Sequence, residues 1–504
     1  MKMKKIFYML LAAMTIVLAC TKTAEPIIPV PEEEEYTEQE KSIIYSNLFA
    51  RYSLDIYYLW RDEIAEALTS WKLSDDPVSK VESVRYADDR WTMMTNDYNS
   101  LINTAGGISK SFGWELAPYY GDPTMTTVVA VILWTYPGTP AYEAGLKRGD
   151  AIVKVKGSTM TPQTYPKIFS EMLEGNNPVS ITIQDGSELT LTPAVIHADP
   201  VLVAKTFTLP GDRKVGYLHY TRFTLESCTK LIEVCKQFRQ ENVKDLILDM
   251  RYNPGGYVIT EETLASMIAP EKEVKAGSIY ERAIYNSLLS SILDAASRES
   301  RFTTEFKFKM NNTVYDYSTA DANIGVENLY AIMTENTASA SESILCGLMP
   351  YLPAKIYGKQ SYGKFCTGIL MNGTDFFTTY RDLFSELLSE EQIEEAGKYT
   401  SNTGMYIMES RYADKTGRTA SMPEGISPDV EVDDRPDEQW QLGDPEERML
   451  KAVLTDLGYE YPEETKSAPA SAGRLLQPVE QERDESYGIR ITLPSLPEGP
   501  VSLR

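Results

Sequence analysis

Leu246-Ile247-Leu248-Asp249-Met250-Arg251-Tyr252-Asn253-Pro254-Gly255-Gly256 is the stretch that decides the architecture of the largest part of this chain. A short apolar run that ends in a Pro-Gly-Gly turn reads as a buried strand, of the kind found in parallel sheets. Working outward, strand patterns at 215–220 and 329–333 flank it, with a further short one at 355–357. Helical patterns at 225–239, 260–268 and 340–348 separate them. This alternation predicts an α/β unit over 201–432. The Pro-Gly-Gly segment has two readings. It is a plain tight turn, or it is a cradle whose N–H groups face a ligand because no Cβ stands in the way.

A second strand end carries small hydroxyl residues: Thr334-Glu335-Asn336-Thr337-Ala338-Ser339-Ala340-Ser341-Glu342. A serine here caps the following helix, or it acts as a nucleophile where free N–H groups favour a developing oxyanion. A nucleophilic serine needs a base, and the chain has only two histidines, His197 and His219. Lysine is the alternative, provided burial holds it neutral. Lys364 follows Gly358-Lys359-Gln360-Ser361-Tyr362-Gly363 and precedes an uncharged, largely apolar run through Leu370.

Composition narrows the remaining choices. The 504 residues imply about three domains. With 42% hydrophobic residues the chain can build cores. Its net charge of −24 argues against a nucleic-acid partner, which needs clustered Lys and Arg. Two histidines and five cysteines are too few for a histidine-based zinc site or a disulfide framework, and no metal or organic cofactor is implied. Cys228 and Cys235, on the 225–239 helix, read as small packing residues.

The N-terminus has a lysine-rich start and an apolar run from Ile6 to Ala19, which reads as a signal peptide over 1–20. Val17-Leu18-Ala19-Cys20 resembles a bacterial lipobox, which implies lipid attachment at Cys20 and anchoring in the cell envelope. Thr21 after the cysteine favours the outer membrane by the same resemblance. Residues 21–36 form an acidic, Pro-containing tether. The pattern is helical over 37–106, a helical cap, and β-rich over 107–200. Residues 433–504 read as an acidic C-terminal extension with one docking helix and a mobile tail.

Two family resemblances follow. Thr139-Pro140-Ala141-Tyr142-Glu143-Ala144-Gly145-Leu146-Lys147-Arg148-Gly149-Asp150-Ala151-Ile152 resembles the signature of bacterial PDZ domains, which bind polypeptide C-termini at a sheet edge. The resemblance puts a carboxylate loop near Phe112, Gly113 and Trp114. The ordered blocks L-I-L-D-x-R-x-N-P-G-G, T-A-S-A-S-E and S-Y-G-K resemble the C-terminal processing peptidases of the S41 serine peptidase family. Gly216-Tyr217-Leu218 with Phe223, and Gly425-Ile426-Ser427-Pro428-Asp429-Val430, resemble two further blocks of that family.

This resemblance implies a ClpP/crotonase-like α/β core and a polypeptide substrate. It makes Ser339 the nucleophile and Lys364, twenty-five positions on, the general base; the spacing selects Ser339 over Ser341. It places the oxyanion hole on backbone N–H groups of Gly255 or Gly256 and of Ala340. Gly368 stands where many members carry a Gln or Glu that orients the lysine, so a Ser-Lys dyad is the expectation. Lys359 replaces a common Glu. The alternative is a non-catalytic binding or scaffold lipoprotein of the same build. Oligomeric state is open.

Overall fold

The computed structural model describes residues 36–310, 313–462, 476–480 and 487–492. The signal peptide, Cys20 and nearly all of the tether lie outside these residues.

The strand quoted first forms as Asp245–Asp249. It lies inside a six-stranded sheet with Arg213–Tyr220 on one side and Asn328–Met333 on the other, both parallel to it. Ala354–Gly358 continues the sheet in parallel. Alternation along the strand explains the burial of both faces. Leu246 and Leu248 pack with Leu231, Val234 and Phe238 of the helix Ser227–Gln240. Ile247 faces the other way, onto Met449, Leu450, Val453 and Leu454 of the helix Arg448–Asp456. Cys228 and Cys235 are buried free thiols.

A second sheet runs Gly255–Tyr257, Ile489–Thr492, Cys366–Asn372, Gly404–Ala413, Ile279–Tyr285, Glu299–Arg301. Two segments read as terminal appendages belong to it or cover it. The helix Glu38–Tyr57 packs Leu48, Phe49 and Ile56 against Ile369, Met405 and Ile407 of this sheet. Met93–Thr95 pairs antiparallel with Gly404–Ala413. The helical cap is therefore a layer on the second sheet, held by one shared apolar cluster.

The expected C-terminal extension packs onto both sheets. Its helix seals one face of the first sheet, and Ile489–Thr492 lies between two strands of the second. Burial of Met449, Leu450, Val453, Leu454 and Ile491 supplies the apolar driving force that its acidic composition concealed.

The β-rich region forms a third sheet: Trp114–Tyr120, Val128–Thr135, Ala151–Val155, Val179–Ile183, Glu188–Leu191. Gln477–Pro478 adds at the free edge of Trp114–Tyr120. The Pro140-to-Ile152 motif forms a short helix, Pro140–Glu143, a loop and the strand Ala151–Val155. Gly149 sits at φ 92°, and a Cβ there would come within 2.6 Å of the Pro436 carbonyl. That close approach brings Arg148 to a buried ion cluster. Arg148 pairs with Asp434, and Arg251 pairs with Asp249 at 2.8 Å, Asp434 at 3.0 Å and Glu447 at 2.8 Å. The cluster ties the third sheet, the first sheet and the C-terminal helix together.

Candidate active site

Ser339 caps the helix Ala340–Leu348 with a backbone at φ 63°, ψ −112°. A β-substituted residue avoids this left-handed region, and holding one there costs about 1–3 kcal/mol. The surrounding bonds hold it in place. Asn253 accepts from Ala338 N–H through its carbonyl at 2.9 Å and from Ser341 Oγ at 3.1 Å. Its side chain donates to the Tyr220 carbonyl at 2.8 Å and accepts from Gly255 N–H at 2.9 Å. Asn253 thus clamps the Pro-Gly-Gly turn to the serine segment. Ser339 is fully buried, and its Oγ has no hydrogen-bond partner.

Gly255 and Gly256 need their glycines. A Cβ at Gly255 would lie 2.2 Å from Ile489 O, 2.8 Å from Ala340 N and 3.0 Å from Ser339 Cβ. A Cβ at Gly256 would lie 2.1 Å from Phe223 O. Of the oxyanion donors named from the sequence, Gly255 N–H is already spent on Asn253. Ala340 N stands against Gly255 beside Ser339 Cβ, and the pairing of Gly255 with Ile489 turns Gly256 N–H toward the Ile489 carbonyl. Ala340 N–H belongs to the first helical turn, where no preceding helical carbonyl is available to it.

Lys364 is fully buried. Burial pushes its ammonium pKa down to about 7, against weaker opposing fields from Cys366, Asp89 and Glu342. Its Nζ donates to Tyr406 Oη at 3.0 Å and to the Gly488 carbonyl at 2.9 Å, and it lies 5.0 Å from the centre of the Trp91 ring. A neutral amine has two N–H bonds and one lone pair, so both donors are used and the lone pair remains. Among the described residues no carboxylate bonds this nitrogen.

Glu342 joins the two halves of the site. Its Oε2 accepts from Ser339 N–H at 2.7 Å and from Lys364 N–H at 2.9 Å. Its Oε1 accepts from Ser361 Oγ at 2.5 Å and Gly363 N–H at 2.6 Å. Burial nevertheless raises its pKa to about 7. Tyr406 and Trp91 lie in none of the sequence motifs, and Asn253 and Glu342 stand in theirs without a role.

Position 368 is glycine, and a Cβ there would meet Tyr406 Cε2 at 2.3 Å. The tyrosine ring fills the space of the expected Gln or Glu, and its hydroxyl reaches the lysine. Lys359 pairs with Asp433 at 2.7 Å and makes no bond at the site. His219 is buried against Trp134 with neither nitrogen partnered, and burial lowers its pKa to about 4.

The residues of the expected carboxylate loop lie at the start of the third sheet. Phe112 and Trp114 are core residues of the third sheet, 5.0 Å apart between ring centres. Gly113 N–H donates to Ser111 Oγ at 3.3 Å, and the Phe112 and Gly113 carbonyls accept from Ala141 and Tyr136 N–H. The aromatic pair is buried because it supplies apolar area to a small sheet.

Comparison with known proteins bears on this constellation. Residues 214–432 match the model for peptidase family S41. The match contains Gly255, Gly256, Ser339 and Lys364. A probable CtpA-like serine protease of Staphylococcus aureus is 24% identical over 344 residues, covering 65% of this chain and 57% of its own length. The chain therefore aligns with little more than half of that relative. Carboxyl-terminal-processing peptidase 2, chloroplastic, of Arabidopsis thaliana is 28% identical over 267 residues, 51% of this chain and 45% of that protein. The crystal structure of a putative S41 protease from Bacteroides fragilis shares the fold, with TM-score 0.57 and 18% identity, over 85% of this chain and 99% of that one. Over residues 214–432 the chain thus resembles peptidases of family S41, and it shares the fold of the Bacteroides fragilis protein.

Proposed function

We propose that this protein is a serine endopeptidase in which Ser339 is the nucleophile and Lys364 the general base. One observation carries the reading. Among the described residues, a fully buried lysine with no carboxylate on its nitrogen shares a carboxylate oxygen, through its backbone N–H, with a buried serine whose hydroxyl has no partner. A purely structural lysine is seldom buried without an acid, which disfavours the non-catalytic scaffold.

In the reaction, the Lys364 lone pair takes the Ser339 hydroxyl proton as Oγ attacks a peptide carbonyl. The Gly256 and Ala340 N–H groups stabilise the resulting oxyanion, helped by the positive end of the Ala340–Leu348 helix. Collapse expels the amine, which takes the proton from Lys364. Water, deprotonated by the same lysine, then hydrolyses the acyl-enzyme. Tyr406 and the burial of Lys364 keep the base oriented and neutral.

The substrate is a polypeptide, captured by a PDZ-like third sheet and fed to the site. Cys20 carries a lipid that holds the enzyme at the bacterial envelope, at the outer membrane. The test is hydrolysis of unfolded casein by the chain beside its Ser339→Ala and Lys364→Ala variants. Cleavage lost in both supports the dyad, and cleavage kept in Ser339→Ala contradicts it.

A further inference from the structure

The strand Ile489–Thr492 is out of character with its sheet. It runs parallel to both Gly255–Tyr257 and Cys366–Asn372, whereas the other pairings of that sheet are antiparallel. Strands pair about 4.8 Å apart, so without it those neighbours would flank a gap one strand wide. The walls of this gap are the site itself. Ile489 N–H donates to the Pro254 carbonyl at 2.7 Å. Ile489 O stands against Gly255, on the side where Ala340 N and Ser339 Cβ lie. Gly488 O accepts from Lys364 Nζ, and Tyr406 Oη donates to Arg490 O at 2.8 Å and accepts from Arg490 N–H at 3.1 Å. These main-chain contacts would hold any extended peptide.

One side-chain contact is specific. The Arg490 guanidinium is buried in a pocket made by four elements that do not belong to the tail. Its Nε donates to Glu261 at 2.9 Å and one terminal nitrogen to Glu281 at 2.7 Å; the other bonds Thr367. The ring of Tyr412 lies 4.7 Å from the guanidinium carbon. Tyr280 and Ser343 hydroxyls each donate to one of the two carboxylates at 2.5 Å, fixing them in place. A fixed pair of acids beside an aromatic face is a receptor for a planar cation. The same tail also occupies the third sheet's edge, where Val479 N–H donates to the Pro118 carbonyl at 3.1 Å. That is where an added polypeptide strand would pair.

We propose that the gap between Gly255–Tyr257 and Cys366–Asn372 seats an extended substrate polypeptide with an arginine in the Glu261–Glu281 pocket, and that residues 487–492 fill it as the chain's own tethered, substrate-like strand. This rests on the peptidase reading and adds a side-chain preference and an internal competitor. The tail's main chain follows the substrate's path, so its release opens the site.

The test uses the full chain. Arg490→Ala removes the side chain that anchors the strand, and casein turnover should rise at least about tenfold. In a Ser339→Ala, Arg490→Ala chain, which needs no catalysis, a fluorescent hexapeptide of residues 487–492 should bind at least about tenfold tighter than its Arg-to-Ala counterpart. The Ser339→Ala chain with Arg490 intact should bind neither at the same concentration. Equal binding of the two peptides, unchanged turnover, or loss of cooperative unfolding in Arg490→Ala would overturn the proposal; the last would make the strand part of the fold. Peptide discrimination without hydrolysis by any variant would uphold the pocket and sink the peptidase reading.

Discussion

The ring of Tyr406 occupies the volume that a side chain at Gly368 would need, 2.3 Å from where its Cβ would stand. From there its hydroxyl meets Lys364 Nζ at 3.0 Å. The hydroxyl that reaches the lysine therefore comes from the neighbouring strand. Tyr406→Phe should lower kcat by about ten- to a hundredfold, the range for a lost supporting bond. It should also move the acidic limb of the pH–rate profile to lower pH, because the ammonium loses more than the amine when an acceptor is removed. Gly368→Ala should destabilise the fold by about 1–3 kcal/mol through overpacking, measured by urea unfolding. A profile that does not move in Tyr406→Phe would make the residue merely structural.

The buried amine sets the pH dependence. Lys364 must be neutral to accept a proton, and burial brings its pKa to about 7. Casein hydrolysis should fall about tenfold per pH unit below that point and level off above it. The stability sign is opposite to that of a paired lysine. Unfolded lysine keeps its proton up to about 10.5, so between about 7 and 10.5 the unfolded state binds more protons and stability rises with pH. Lys364→Met should abolish hydrolysis and raise the unfolding temperature, with the gain largest below pH 7 and gone above about 10.5. A gain independent of pH would show that the lysine is not desolvated in the folded chain.

Glu342 accepts four donors, two of them the backbone N–H groups of Ser339 and Lys364. Glu342→Gln keeps the shape but offers one acceptor oxygen and turns an N–H₂ toward donors. Loss of about 2–4 kcal/mol is expected, with a fall in kcat at nearly constant KM. Urea unfolding and steady-state kinetics on the same sample check both.

Arg148 lies at the end of the Pro140-to-Ile152 motif and pairs with Asp434 beside Arg251, Asp249 and Glu447. Arg148→Ala leaves acids buried with one cation fewer. It should cost about 3–5 kcal/mol, read from chemical denaturation. Arg148→Lys should restore only part, because an ammonium cannot match the guanidinium's fork. Full stability in Arg148→Ala would mean that the cluster does not couple the third sheet to the core.

Much of this was legible along the chain. The apolar run at 246–248 with its glycine turn gave the parallel sheet, because a strand buried on both faces has no polar alternation. The motif blocks around Ser339 and Lys364 pointed to two residues whose backbone N–H groups the fold sets on one Glu342 oxygen. What stayed hidden came from distant segments. Tyr406 reaches Lys364 through the pairing of Cys366–Asn372 with Gly404–Ala413, and Trp91 arrives on a segment read as part of a helical cap. The tail hid its strand for a different reason. Ile489 and Ile491 alternate with Arg490 over too few residues to register, and the arginine's acids lie more than two hundred positions away. Phe112 and Trp114 pack in the core of the third sheet, a role that local sequence does not separate from binding.

The central claim is that Ser339 performs the chemistry inside an otherwise complete fold. Casein hydrolysis by the full Ser339→Ala chain, with its thermal unfolding recorded alongside, tests that claim most directly. Turnover should drop by at least about a thousandfold while the unfolding temperature holds. Hydrolysis at the unmodified rate by a folded Ser339→Ala chain would contradict it.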